Sequence, residues 1–132
     1  MADPIPPQDG ILWRGWSDEL QRELAERPRP VLLFIPDPEP TVAPFLRAIF
    51  HAMPANARLR AQLRDFFPAL YVEPGSLPED LRSYGAGSRW RVAILSPHGC
   101  NPMVVFDPVR GDPAAVVDEI ATVLERLRPA WE

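Results

Sequence analysis

Eighteen prolines are spread through 132 residues, about three times the usual share if that share is near 5%. Each proline fixes φ and removes a backbone donor, so helices and central strands are disfavoured from continuing where a proline falls. The segments between the prolines are strongly apolar, with 46% hydrophobic residues overall. That is too much apolar surface for a disordered chain, which lacks enough of it to offset its ordering entropy. The prolines therefore read as punctuation between short, packed elements.

Residues 1–10 (MADPIPPQDG) are polar and proline-rich, the composition of a loosely held arm. Residues 11–132 are expected to form a single domain. Ser17 is placed as an N-cap, with Asp18 and Glu19 in the first turn where the helix dipole favours them. Leu20 and Leu24 share a face, and Arg27-Pro28 ends that helix. Val31-Leu32-Leu33-Phe34-Ile35 is a continuous apolar run of strand length, as in a strand buried on both faces.

Pro36-Asp37-Pro38-Glu39-Pro40 then forbids regular structure and makes a rigid loop. Val42, Phe45, Leu46, Ile49, Phe50 and Met53 form a helical stripe, with Thr41 expected as its N-cap and Pro44 in its first turn. Asn56 caps a helix carrying Leu59 and Leu63, and Ala69–Val72 is a short buried strand. Ser76-Leu77-Pro78-Glu79 is a capping box opening a short helix to about Tyr84. Val92–Leu95 and Met103–Phe106 flank a turn as a hairpin. Asp112-Pro113 opens a last helix, which Pro129 is expected to stop. The first three strands alternate with helices, which suggests parallel pairing.

Charge and composition narrow the function. Net charge is −4 and the isoelectric point is about 5.2, which argues against nucleic acid as a partner. No apolar run approaches the roughly 20 residues of a membrane span. The first residues lack the basic and apolar regions of a signal peptide, so a cytoplasmic location is expected. One cysteine excludes an internal disulfide and a zinc site built on several thiolates. All 14 basic residues are arginine, which fits a GC-rich genome and carries no functional weight.

The order of elements over residues 11–128 resembles the thioredoxin-like fold. Pro30–Ile35 looks like the central strand that delivers the redox motif of that superfamily. Phe66-Phe67-Pro68-Ala69-Leu70-Tyr71-Val72-Glu73 looks like its second core strand, as found in divergent bacterial members. Leu81-Arg82-Ser83-Tyr84-Gly85 and Val92–Gly99 look like the approach to the next strand and its hairpin. The resemblance implies an α/β, three-layer sandwich with a central mixed four-stranded sheet flanked by helices. It also implies two cysteines after the central strand and a cis-proline before the third strand. Here Pro36–Pro44 contains no cysteine, and Gly87-Ser88-Arg89-Trp90-Arg91 contains no proline. Dithiol exchange needs an attacking and a resolving thiol, so this chain cannot perform that cycle alone.

The remaining chemistry-bearing residues are few. Cys100, after Gly99 and two residues from His98, is an incidental thiol unless its pKa is depressed. His51 has no other histidine but His98, so no metal site is expected. Asp37 and Glu39 have no evident nucleophile beside them and read as a solvated acidic loop. Gly85-Ala86-Gly87-Ser88 precedes a strand rather than opening a helix, so it is no dinucleotide motif. Arg58, Arg60 and Arg64 read as a solvated helix face.

Arg89-Trp90-Arg91 stands out, because tryptophan and arginine are enriched at interface hot spots. By the resemblance, this segment lies beside Pro38, Glu39, Pro40 and Thr41, at the corner where thioredoxins hold peptides. The expectation is a degenerate, non-redox member acting as a protein-binding accessory subunit, chaperone or assembly factor in a bacterial complex, with no cofactor. Hydrogenase-maturation chaperones of thioredoxin-like fold, which also lack the two cysteines, are one precedent. Two alternatives stand: a single-cysteine peroxidase or glutathione-linked transferase using Cys100, and a structural subunit that docks through Trp13, Trp16 and Trp131.

Overall fold

A computed structural model describes residues 10–36, 39–72, 91–97, 102–107 and 112–132. The described elements run β1 (Trp13–Arg14), α1 (Asp18–Glu26), β2 (Val31–Phe34), α2 (Ala43–Ala52), a 3-10 turn (Met53–Ala55), α3 (Ala57–Asp65), β3 (Ala69–Tyr71), β4 (Val92–Leu95), β5 (Pro102–Phe106) and α4 (Pro113–Trp131). The expected helix at 77–84 falls outside the described residues, as do His98 and Gly99 of the expected turn Ser96-Pro97-His98-Gly99.

The strands form one mixed five-stranded sheet in the order β1-β3-β2-β4-β5. β1 and β2 both pair with β3 in parallel, while β4 is antiparallel to β2 and to β5. Val31–Phe34 lies at the centre and is buried along its length, as a run without polar alternation requires.

Four sequence expectations are corrected here. The sheet has five strands, not four, because Trp13 and Arg14 pair with Ala69 and Leu70. Val92–Leu95 runs antiparallel to the central strand, pairing Phe34 with Val92. The chain leaving β3 therefore enters β4 at the same end of the sheet; an intervening segment does not by itself set strand direction. Val42, not Thr41, holds the cap position of α2, and no side chain caps it. Thr41 instead donates to Glu39 Oε1 at 2.9 Å, and the Glu39 carbonyl takes the amides of Val42 and Ala43 at 3.0 and 2.8 Å. Finally, α4 continues through Pro129 to Trp131. Leu127 and Trp131 pack against the core, and that contact outweighs the one helical bond a proline removes near an exposed end.

The other caps agree with the sequence. Ser17 Oγ accepts from the Leu20 amide at 3.2 Å, and Asn56 Oδ1 from the Leu59 amide at 3.0 Å. Asp112 caps α4, with Pro113 at its start.

The sheet separates two layers of apolar packing. Leu32, Phe34, Ala69, Tyr71, Val92, Ile94 and Phe106 face α2, α3 and α4. Val31, Leu33, Ile35, Leu70, Val72, Ala93 and Leu95 face α1, which contributes Leu20 and Leu24. Arg58 on α3 clamps α4 by pairing with Asp118 at 2.7 Å and with Glu125, while Thr122 accepts a further bond at 2.9 Å. Among the described residues, no helix is long and apolar enough to cross a membrane.

Candidate functional site

The corner begins where β2 ends. Phe34 and Tyr71 are the last residues of two adjacent parallel strands, and their rings stack at 5.8 Å. Trp13 stacks on Phe50 of α2 at 5.5 Å, and Phe34 meets Phe50 at 5.2 Å. Four aromatic side chains from β1, β2, α2 and β3 thus form a stiff platform at this end of the sheet. Tilted and offset ring pairs of this kind each add about 0.5–1.5 kcal/mol beyond area burial.

The proline loop leaves this platform and turns into α2. Ile35 is buried and Pro36 half-buried, whereas Glu39, Pro40 and Thr41 are exposed. The bonds around the Glu39 carbonyl and the Thr41 hydroxyl fold the chain back into the first turn of α2. Pro40 fixes its own φ within this turn.

Arg91 meets Ile35, just before this loop, through the backbone. The Ile35 amide donates to the Arg91 carbonyl at 2.7 Å, extending the β2–β4 ladder to the residue just before Pro36. Of the residues singled out in the sequence, Glu39, Pro40, Thr41 and Arg91 are therefore brought to one end of the sheet. Pro38, Arg89 and Trp90 lie outside the described residues, as do Asp37, His98 and Cys100. His51 is exposed near the end of α2 and packs edge-on to Phe50 at 6.2 Å. Among the described residues, no three side chains of His, Cys, Asp or Glu converge as metal ligands.

The structure adds one residue that sequence reasoning assigned to the core. Phe45 is 37% exposed, next to exposed Pro44 in the first turn of α2. It falls at the margin of the stripe whose buried members are Ala43, Leu46 and Ile49. A large aromatic in the first turn after a proline-rich loop was the available signal. Of the terminal tryptophans, Trp13 is buried in the platform, and Trp16 and Trp131 are partly buried.

Compared with models of known protein families and with the curated proteins, the chain matches none.

Proposed function

We propose that the chain is a divergent thioredoxin-like protein-binding module without redox chemistry. On this reading it is cytoplasmic and serves as an accessory subunit, chaperone or assembly factor in a bacterial complex. The strand order β1-β3-β2-β4-β5, with two parallel junctions followed by two antiparallel ones, supports the thioredoxin-like reading. So does the emergence of a loop and helix from the end of the central strand. The missing cysteines between Pro36 and Pro44 remove dithiol exchange from its repertoire.

The observation that carries the binding reading is the 2.7 Å bond from Ile35 to Arg91. It joins Ile35, the residue just before the proline loop, to Arg91, the last residue of Arg89-Trp90-Arg91. The exposed residues around that junction, Pro40, Thr41, Pro44 and Phe45, offer apolar and small polar surface on a stiff frame. A pre-organised surface loses little entropy on binding. An extended segment of a partner would run along the junction by backbone pairing, with Trp90 and Phe45 as its side-chain anchors.

The test is recovery of bound proteins from the native host with the full chain and three variants. Trp90→Ala and Phe45→Asp are expected to lose the same partner, and affinity for it, once purified, is expected to fall at least about tenfold (roughly 1.4 kcal/mol). Leu12→Asp, at an 81% exposed position beside β1, is expected to keep it. Loss through Leu12→Asp alone, failure to recover any specific partner, or disulfide reductase turnover by the isolated chain would each overturn the reading.

A further inference from the structure

We propose that Arg27 and Arg29 form a binding site for a phosphate group, at the opposite end of the sheet from the proline loop. Both residues precede β2, and Phe66, on which they converge, precedes β3, the parallel neighbour. The inference is independent of the binding function assigned to the other end.

Three arginines gather on Phe66, two from the connection between α1 and β2 and one from α4. The guanidinium carbons of Arg27 and Arg128 each lie 5.3 Å from the centre of its ring. Arg29 donates from Nε to the Phe66 carbonyl at 2.6 Å and from Nη1 to the Arg27 carbonyl at 3.0 Å. Arg29 is thereby held in place by carbonyls through Nε and Nη1, and among the described residues its Nη2 donors meet no acceptor. Arg27 is held by the ring face, which leaves its N–H edge available.

The charges around them are already matched. Glu23 pairs with Arg14, Asp65 with Arg64, and Glu132 with Arg128. Among the described residues, no ion pair includes Arg27 or Arg29. Burial first, and the charge of Arg27 second, push the pKa of Arg29 down, and the carboxylate of Glu23, itself bonded to Arg14, offsets them only in part.

A phosphate group fits this arrangement better than a carboxylate. One guanidinium fork satisfies a carboxylate, whereas the tetrahedral oxygens of a phosphate accept from two guanidinium edges set at different angles. A doubly charged phosphate also balances both cations. The same chemistry is presented by a free phosphate compound and by a phosphorylated side chain of a partner.

The experiment is an NMR titration of the Arg Nε–Hε signals of the full chain. Inorganic phosphate, acetate and a short phosphoserine peptide are added separately at matched ionic strength. Saturable displacement of the Arg29 signal by phosphate is expected, with acetate weaker by about tenfold or more. Arg27 is exposed, so Arg27→Gln is expected to fold and to weaken phosphate binding by about fivefold or more, the loss of one charge-assisted contact. Arg64→Gln, which removes an arginine already paired with Asp65, is expected to leave binding unchanged. Tighter binding of the peptide than of phosphate assigns the source to a partner's modified residue; equal or weaker binding assigns it to a free compound. A shift that rises linearly without saturating, equal binding of acetate, or an unchanged affinity in Arg27→Gln would overturn the site.

Discussion

The two faces of the sheet are packed by different means. One face meets three helices and carries the aromatic platform of Trp13, Phe34, Phe50 and Tyr71. The other meets α1 through an aliphatic cluster of nine buried residues, with Trp16 at its margin. On that second face the register sets Val105 beside Ala93, and Val105 and Met103 of β5 remain 48% and 40% exposed. Among the described residues, three helices brace the helix-rich face, while the α1 face meets one short helix. The corner proposed for binding is built on the rigid side, where Phe34 and Tyr71 end their strands.

Leu32 and Leu33 test that difference with the least confounding. They are adjacent, identical, fully buried and on opposite faces of the central strand. Leu32→Ala opens a cavity among groups fixed by α2, α3 and α4, which have little freedom to close it. Its expected cost is about 4 kcal/mol, in the upper part of the range for leucine truncation. Leu33→Ala leaves a cavity that a nine-residue helix can settle into, so its expected cost is about 3 kcal/mol. Chemical denaturation of the two variants measures both values. A larger loss for Leu33→Ala would reverse the assignment of rigidity.

The helix caps sharpen the same comparison at smaller magnitude. Asn56 caps α3 on the helix-rich face, and Ser17 caps α1 on the other. Each alanine substitution is expected to cost about 1 kcal/mol, because a backbone amide loses its acceptor. Hydrogen exchange separates them further. Ser17→Ala is expected to speed exchange within α1 alone, as that helix has no helical neighbour on its face among the described residues. Asn56→Ala is expected to affect α3 and α4 together, since Arg58 ties them. Exchange confined to α3 in Asn56→Ala would show that the two helices open separately.

These contrasts also explain which parts of the molecule could be read from the chain. Val31–Ile35 announced the central strand because a buried strand needs an uninterrupted apolar run, a purely local property. Ser17, Asn56 and Asp112 announced their helices because a cap is satisfied within a few residues. β1 was not legible: Trp13 and Arg14 become a strand only by pairing with Ala69 and Leu70, far along the chain. The direction of β4 was hidden for the same reason. Thr41 had the right chemistry for a cap, but the nearby Glu39 carboxylate took its hydroxyl. Pro129 obeyed a local rule that the tertiary contacts of Trp131 override. At the candidate site, the bond between Ile35 and Arg91 follows from strand pairing and not from side-chain chemistry. Phe45 was missed because its spacing fits the apolar stripe, and only packing decides that the stripe stops short of it.

The weakest link in the rigid face is electrostatic, and it has a defined pH signature. Arg58 holds Glu125 and Asp118 at the exposed junction of α3 and α4. The hydrogen bond from Arg58 holds the Glu125 carboxyl below its ordinary value of 4.5. A carboxylate whose pKa is lowered by folding adds stability that is fully present above its unfolded pKa. That contribution disappears as the pH falls through the lower, folded value. The loss of Tm caused by Arg58→Gln is therefore expected to be largest near neutral pH and to shrink as the pH drops below the mid-fours. Added salt is expected to shrink it as well, because the pair is open to solvent. A Tm difference between wild type and Arg58→Gln that persists unchanged in acid would mean that the clamp acts through the packing of the arginine stem, and the helix-rich face would then owe its rigidity to apolar contact alone.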